Sequence, residues 1–218
     1  MVQYILFDLD GTLTDSKEGI LNSLRFAFEQ LGEPVPEESV LIKFIGPPLQ
    51  DSFREFCGYS PEKAGKAIDF FRKRYNSLGK FENMPTPGLP ALCRKLKAAG
   101  YTLALASSKL EEMCVAICEK FGYQESLDVI AGSPAAGDWE KADVIREALR
   151  RLGVAEEDRS KVLMIGDRKF DVLGAKECGL DCVGVEFFGY AAPGELAEAG
   201  AVAVVQTPEE LERLLLHT

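Results

Sequence analysis

The stretch Tyr4-Ile5-Leu6-Phe7-Asp8-Leu9-Asp10-Gly11-Thr12 sets four β-prone apolar residues directly before two carboxylates at i and i+2 and a glycine. This is the pattern of a buried strand that ends in a tight turn. Alternation along the strand places one carboxylate at the sheet tip, and the glycine lets the chain swing the second above it. An ordinary Asp-Gly turn with capping side chains accounts for the same letters. The surrounding sequence has to decide between the two.

Outward from that stretch, short apolar runs recur at residues 102–106, 127–131, 161–165, 182–185 and 201–205, each bounded by Gly, Asp or Ser. Between them lie segments with helical spacing at 89–99, 111–121, 141–152, 171–178 and 208–216, several followed by Gly100, Gly122, Gly153 or Gly179 where a helix should stop. Repeated β-α-β units predict a doubly wound parallel sheet covered by helices on both faces, the α/β class. From residue 17 to 81 the rhythm stops and only helices are predicted: 17–31, 36–44, 49–56 and 61–77, the last with Ser60 as N-cap and Pro61 at its first position. The turn-rich Asn83-Met84-Pro85-Thr86-Pro87-Gly88 then restores the alternation. The expected organisation is therefore a core of residues 1–15 and 83–218 with an inserted four-helix domain, residues 16–82.

Composition narrows the functions. Lys+Arg 25 against Asp+Glu 35 gives a net charge of −10 with no long basic cluster, which argues against a nucleic acid polymer as partner. No apolar run approaches the roughly 18 residues needed to span a bilayer, and no basic segment precedes the first strand, so a cytoplasmic protein without membrane attachment is expected. The six cysteines contain no Cys-x-x-Cys pair, and the one histidine is His217. Zinc sites and Ser-His or Cys-His catalysis thus have almost no candidates, and buried reduced thiols are the expectation.

In an open parallel sheet ligands bind beyond the carboxyl ends of the strands, and four such loops carry suggestive residues. Asp8 and Asp10 follow the first. Ser107-Ser108-Lys109 follows the second, where small hydroxyls and free N–H groups before a helix form an anion cradle or a plain N-cap. Lys141 begins the helix 141–152, where a cation opposes the macrodipole, although a solvated lysine would also read this way. Gly166-Asp167-Arg168-Lys169-Phe170-Asp171 follows the fourth run. Each loop alone has a capping explanation. Together they set four carboxylates against one ammonium, leaving about three charges uncompensated unless a cation enters. Oxygen-only donors point to Mg²⁺ rather than Zn²⁺.

Asp8-x-Asp10-Gly11-Thr12, Ser107, Lys141 and Gly166-Asp167-xxx-Asp171, in that order and spacing, resemble the four motifs of the haloacid dehalogenase superfamily. The resemblance covers essentially the whole chain, including a helical cap inserted after the first motif. The Ser107-Ser108-Lys109 and Gly166-Asp167-Arg168-Lys169 contexts, with Phe44-Ile45-Gly46-Pro47-Pro48-Leu49, look most like its phosphoglycolate phosphatase-like and 5′-nucleotidase-like branches. The resemblance implies that Asp8 attacks phosphorus to form an aspartyl phosphate and that Asp10 is the general acid and base. It further implies that Gly11, Thr12, Ser107, Ser108 and Lys141 hold the phosphoryl group, and that Asp8, the Asp10 carbonyl, Asp167 and Asp171 hold Mg²⁺. Asp10 itself argues for phosphoryl transfer over dehalogenation, since dehalogenases of the superfamily lack it.

Specificity is expected in the cap, near Lys17, Lys43, Phe44 and Arg54, with Lys109 and Arg168 beside the motifs. Phe44 also reads as core, and Arg54 as a surface partner of Asp51 or Glu55. Closure of the cap, with hinges near Asp15 and 84–88, would exclude water. The implied partner is a small phosphorylated metabolite, handled by a monomer or a homodimer. The rivals are a 5′-nucleotidase, a β-phosphoglucomutase-like mutase, a pyrophosphatase, a phosphonate hydrolase using Lys17 or Lys43, and a ligand-binding regulatory protein. An intact Asp10 and Lys141 weigh against the last.

Overall fold

A computed structural model describes residues 2–135 and 139–216; His217 lies outside them. The chain divides into two compact units, residues 1–14 with 85–218 and residues 15–84. The first is α/β. Its sheet is built of β1 (Tyr4–Phe7), β4 (Thr102–Leu110), β5 (Val129–Ser133), β6 (Val162–Gly166), β7 (Asp181–Val185) and β8 (Ala203–Val205) in the order β5-β4-β1-β6-β7-β8. All pairings are parallel, with Phe7 level with Leu105 on one side and Ile165 on the other. The chain leaves β1 towards β4 and leaves β6 towards β7, so β1 and β6 flank the point where the winding reverses, the place where such sheets open a crevice.

Alternation along β1 splits the interior in two. Ile5 and Phe7 join a cluster with residues of α5 (Leu89–Ala98), α6 (Glu111–Phe121) and α10 (Pro208–Leu216). Leu6 points the other way, to α7 (Lys141–Leu152), α8 (Lys169–Glu177) and α9 (Glu195–Ala199). Burial on both faces explains why these strands read as continuous apolar runs. Truncating a residue such as Leu6, fully buried, should cost about 2–5 kcal/mol.

The second unit contains α1 (Lys17–Leu31), α2 (Glu38–Leu41), α3 (Leu49–Cys57) and α4 (Pro61–Ser77). Ser60 caps α4 as expected, accepting from Lys63 N at 3.3 Å. Two short strands, β2 (Thr14–Asp15) and β3 (Met84–Pro85), pair with each other.

Four expectations need correction. The predicted helix 36–44 is one turn, α2, followed by a 3₁₀ turn, Ile42–Phe44. Strand β4 continues through Ser107, Ser108 and Lys109 to Leu110, with an irregularity in its pairing after Ala106. The serines therefore precede no helix directly, and Leu110, not a serine, stands before α6. Helix α8 begins at Lys169, two residues earlier than its periodicity suggested, and α9 lies where no helix was expected. All six cysteines are unpaired, five of them buried. Among the described residues no helix is long and apolar enough to cross a membrane.

Candidate active site

Asp8 follows β1 directly, its N–H donating to Ile165 O of β6 at 2.9 Å. Asp167 follows β6, and Asp171 lies in the first turn of α8 with Oδ2 accepting from Arg168 N at 3.0 Å. The three are buried and offer carboxylate oxygens within 4.8 Å of one another. Two glycines make that possible. A Cβ on Gly11, whose φ is +85°, would stand 2.1 Å from Asp167 Oδ2, and one on Gly166 would stand 2.3 Å from Asp171 Cγ. Without side chains at these positions the carboxylates can pack against the backbone of the neighbouring loop.

Lys141, the first residue of α7, is buried and not solvated. Its Nζ donates to Asp8 Oδ1 and to Ala106 O at 3.1 Å, and lies 2.7 Å from Asp171 Oδ1. Burial opposes its charge, but Asp171 and Asp8 outweigh burial and hold the ammonium above its ordinary value. Asp8 goes the other way: burial pushes its carboxyl up to about 6, with Lys141 pulling down and Asp171 pushing further up. Burial, then Asp171 and Asp8, raise the Asp167 carboxyl well above its ordinary value. The cluster therefore holds more negative charge than its surroundings support.

Asp10 stands apart from this group in its partner. Its Oδ2 lies 2.6 Å from Lys109 Nζ, a side chain only 9% exposed. Lys109 thus lowers the surplus: four carboxylates against Lys109 and Lys141 leave about two charges, not three. Asp10 Oδ1 and Asp167 Oδ1 are buried without a hydrogen-bond partner among the described residues. Unsatisfied buried carboxylate oxygens are costly, and an oxygen-only set with orphaned acceptors suits a divalent cation.

The remaining expected residues fall as follows. Thr12 is buried, its carbonyl accepting from Thr86 Oγ1 at 2.7 Å and its hydroxyl unpartnered among the described residues. Ser107 is buried and its Oγ accepts from Lys109 N at 3.4 Å, while Ser108 is exposed. Arg168 pairs with Glu195 at 2.9 Å. In the helical unit, Lys17 pairs with Glu38 at 2.9 Å and Lys43 is exposed, its Nζ 5.9 Å from the Phe56 ring centre. Phe44 is buried against Phe53 and Phe56, the core alternative, and Arg54 is exposed, 3.8 Å from Asp51.

The sequence pattern of haloacid dehalogenase-like hydrolases matches residues 5–185. The chain belongs to this family. A 5′-nucleotidase of Pseudomonas aeruginosa is 39% identical over 193 residues, which are 88% of this chain and 86% of that protein. A phosphoglycolate phosphatase of Aquifex aeolicus is 31% identical over 186 residues, 82% of each chain. The crystal structure of a predicted phosphatase from Clostridium acetobutylicum superposes with a TM-score of 0.90, at 39% identity and covering all of both chains. For this haloacid dehalogenase-like hydrolase, the reversal point between β1 and β6 is where family and geometry meet.

Sequence reasoning did not reach Glu195, Thr86 or the ion pair between Lys109 and Asp10. The only sequence signal for Glu195 is an acid following the Pro193-Gly194 turn, a place that also suits an ordinary helix start.

Proposed function

We propose that this hydrolase is a Mg²⁺-dependent phosphatase of small phosphomonoesters, phosphoglycolate phosphatase-like, working through an aspartyl phosphate on Asp8. The observation that carries the reading is the cluster of Asp8, Asp167 and Asp171, two of which, Asp8 and Asp171, meet the buried Lys141 ammonium, with a second acid, Asp10, two residues beyond the first.

On this reading an Asp8 carboxylate oxygen attacks phosphorus, forming the acyl phosphate on Asp8 as the bond from phosphorus to the substrate oxygen breaks. Asp10 gives its proton to that leaving oxygen. It then takes a proton from the water that attacks phosphorus, and the bond to Asp8 breaks to release inorganic phosphate. Lys141 and Ser107 hold the phosphoryl oxygens while charge redistributes. Asp8, Asp167 and the Asp10 carbonyl would hold Mg²⁺, with Asp171 in support. The cation would supply charge neutralisation that lets an anionic nucleophile approach an anionic phosphate.

The higher identity to the 5′-nucleotidase favours a nucleoside monophosphate as the second reading. Phosphate release from phosphoglycolate, nucleoside monophosphates, sugar phosphates and pyrophosphate, with Mg²⁺ and with EDTA, tests both, using Asp8→Asn as the blank. Metal-dependent release from one compound above the rest supports the phosphatase and names its substrate. Isomerised product without phosphate would instead assign a mutase, and no turnover of any compound would remove the reading.

A further inference from the structure

Asp167 Oδ1 is buried without a hydrogen-bond partner among the described residues. Its position depends on the main chain between the end of β6 at Gly166 and the start of α8 at Lys169. The first N–H groups of a helix have no partners within the helix. Here one of them, Lys169 N, donates to Glu195 Oε1 at 3.0 Å. The same oxygen accepts from Arg168 Nε at 2.9 Å, and Oε2 accepts from Arg168 Nη2 at 3.5 Å and Ala192 N at 3.2 Å. One carboxylate thus ties both residues that follow Asp167 to the start of α9. The side chains of Arg168 and Glu195 are 12% and 11% exposed, so the pair is largely shielded from water and geometrically stiff.

The pair also has an electrostatic consequence. Arg168 is a permanent cation one residue from Asp167, and an unengaged guanidinium there would compete with a metal ion for the carboxylates. Glu195 occupies it.

We propose that Glu195 is a positioning residue for the metal-holding loop, holding the Lys169 N–H and the Arg168 guanidinium that follow Asp167 and balancing the Arg168 charge. The inference rests on the reading of Asp167 as a metal-holding carboxylate. Loss of such an outer partner typically weakens metal binding by about 10–100-fold. Loss of the anchor and release of the guanidinium act in the same direction.

The test is calorimetric titration of Mg²⁺ alone into the wild-type chain, Asp167→Asn, Glu195→Ala, Glu195→Gln and Leu211→Ala. Glu195→Ala should bind at least about 10-fold more weakly than wild type. Glu195→Gln keeps an acceptor for Lys169 N and loses the charge, so a loss of about threefold is expected. Leu211 is fully buried on α10; its truncation should lower Tm and leave Mg²⁺ affinity unchanged, which separates general loosening of the fold from a specific effect of Glu195. Binding by Glu195→Ala within twofold of wild type, or equal weakening by Leu211→Ala, overturns the proposal while the metal site stands. Absence of Mg²⁺ binding by wild type, or binding unaffected by Asp167→Asn, overturns the site reading and the proposal together. Should Glu195→Ala fail to fold, Glu195→Gln decides: weaker binding supports the proposal and unchanged binding overturns it.

Discussion

Residues 15–84 bury rings: Phe44 and Phe53 lie 5.0 Å apart, Phe53 and Tyr59 stack at 5.7 Å, and Phe71 stacks on Tyr75 at 5.3 Å. Their charged residues sit further out and pair there, as Lys17 does with Glu38 and Arg74 with Glu82. The carboxyl end of the sheet in the α/β unit does the reverse, burying Asp8, Asp167, Asp171 and Lys141. Burying an aromatic ring stabilises the fold. Burying three carboxylates beside one ammonium destabilises it unless something enters to balance them. The helical unit is thus built for stability within itself, and the sheet end keeps a charge that its own side chains do not balance.

The largest expected effect is on that imbalance. Asp8→Asn should lower turnover by about 10⁴-fold or more, as loss of a nucleophile does. Its melting temperature should be unchanged or higher, because a carboxyl that burial pushes up to about 6 is replaced by a neutral isostere. Phosphate release and a circular dichroism melt measure the two. Activity within tenfold of wild type would remove Asp8 from the mechanism.

Matched truncations sharpen the comparison. Lys141→Ala leaves Asp8 and Asp171 buried without their cation and should cost about 3–5 kcal/mol in EDTA. Phe53→Ala, in the interior of the helical unit, should cost about 3–5 kcal/mol as a cavity. Mg²⁺ should restore part of the first loss and none of the second, since only the first leaves excess negative charge. Equal behaviour of the two variants in denaturant titrations with and without Mg²⁺ would show that the sheet end is packed like any other interior.

The acids of the two units should also respond to pH with opposite sign. Asp8, ordinarily near 3.8, is raised to about 6, so the folded chain binds its proton more tightly than the unfolded chain. Its contribution is complete below about 4 and is lost as pH rises through 6, on the order of 3 kcal/mol in metal-free protein. Glu82 is lowered by the Arg74 guanidinium, whose two N–H groups it accepts at 2.7 and 2.8 Å, against a smaller upward push from burial. That contribution is present above 4.5 and disappears as pH falls through the lower folded value. In EDTA, stability should therefore rise from pH 7.5 to 5 and fall at more acid pH, with Glu82→Gln flattening only the acid fall. A monotonic decline from pH 7.5 downward would mean that the Asp8 cluster is not charged as its burial implies.

The two regions also differ in how much of them the sequence made legible. Strand periodicity and the Asp8, Asp10, Asp167 and Asp171 spacing are local, and each motif sits at a strand end that the apolar run itself marks. Partnerships formed across the chain are not local. Glu195 meets Arg168 from 27 residues away, and neither neighbourhood names the other. The extension of β4 through Ser107 to Leu110 follows from pairing with Ser133 of β5, which no propensity at Ser107 or Ser108 encodes. In residues 36–44, Pro36 and the short run before Gly46-Pro47-Pro48 leave too little length for a full helix, and tertiary packing of Leu41 and Phe44 sets the 3₁₀ turn instead.

The smallest expected effect concerns the exposed cations of the helical unit. Lys43 is exposed, and Arg54 is 3.8 Å from Asp51 with both side chains more than half exposed, a geometry in which an ion pair contributes about 0–1 kcal/mol. Lys43→Ala and Arg54→Ala should each change stability by less than about 0.5 kcal/mol. Because folding does not need them, any rise in KM for the substrate found in the panel, at unchanged kcat, would report a lost substrate contact directly. Phe44→Leu supplies the contrast: it should lower the melting temperature through lost ring contacts with Phe53 and Phe56 while leaving KM alone. If KM moves for Phe44→Leu and not for Lys43→Ala or Arg54→Ala, recognition is read through the shape of the aromatic interior and not by surface charge, and the division between a stabilising unit and a reacting one no longer holds.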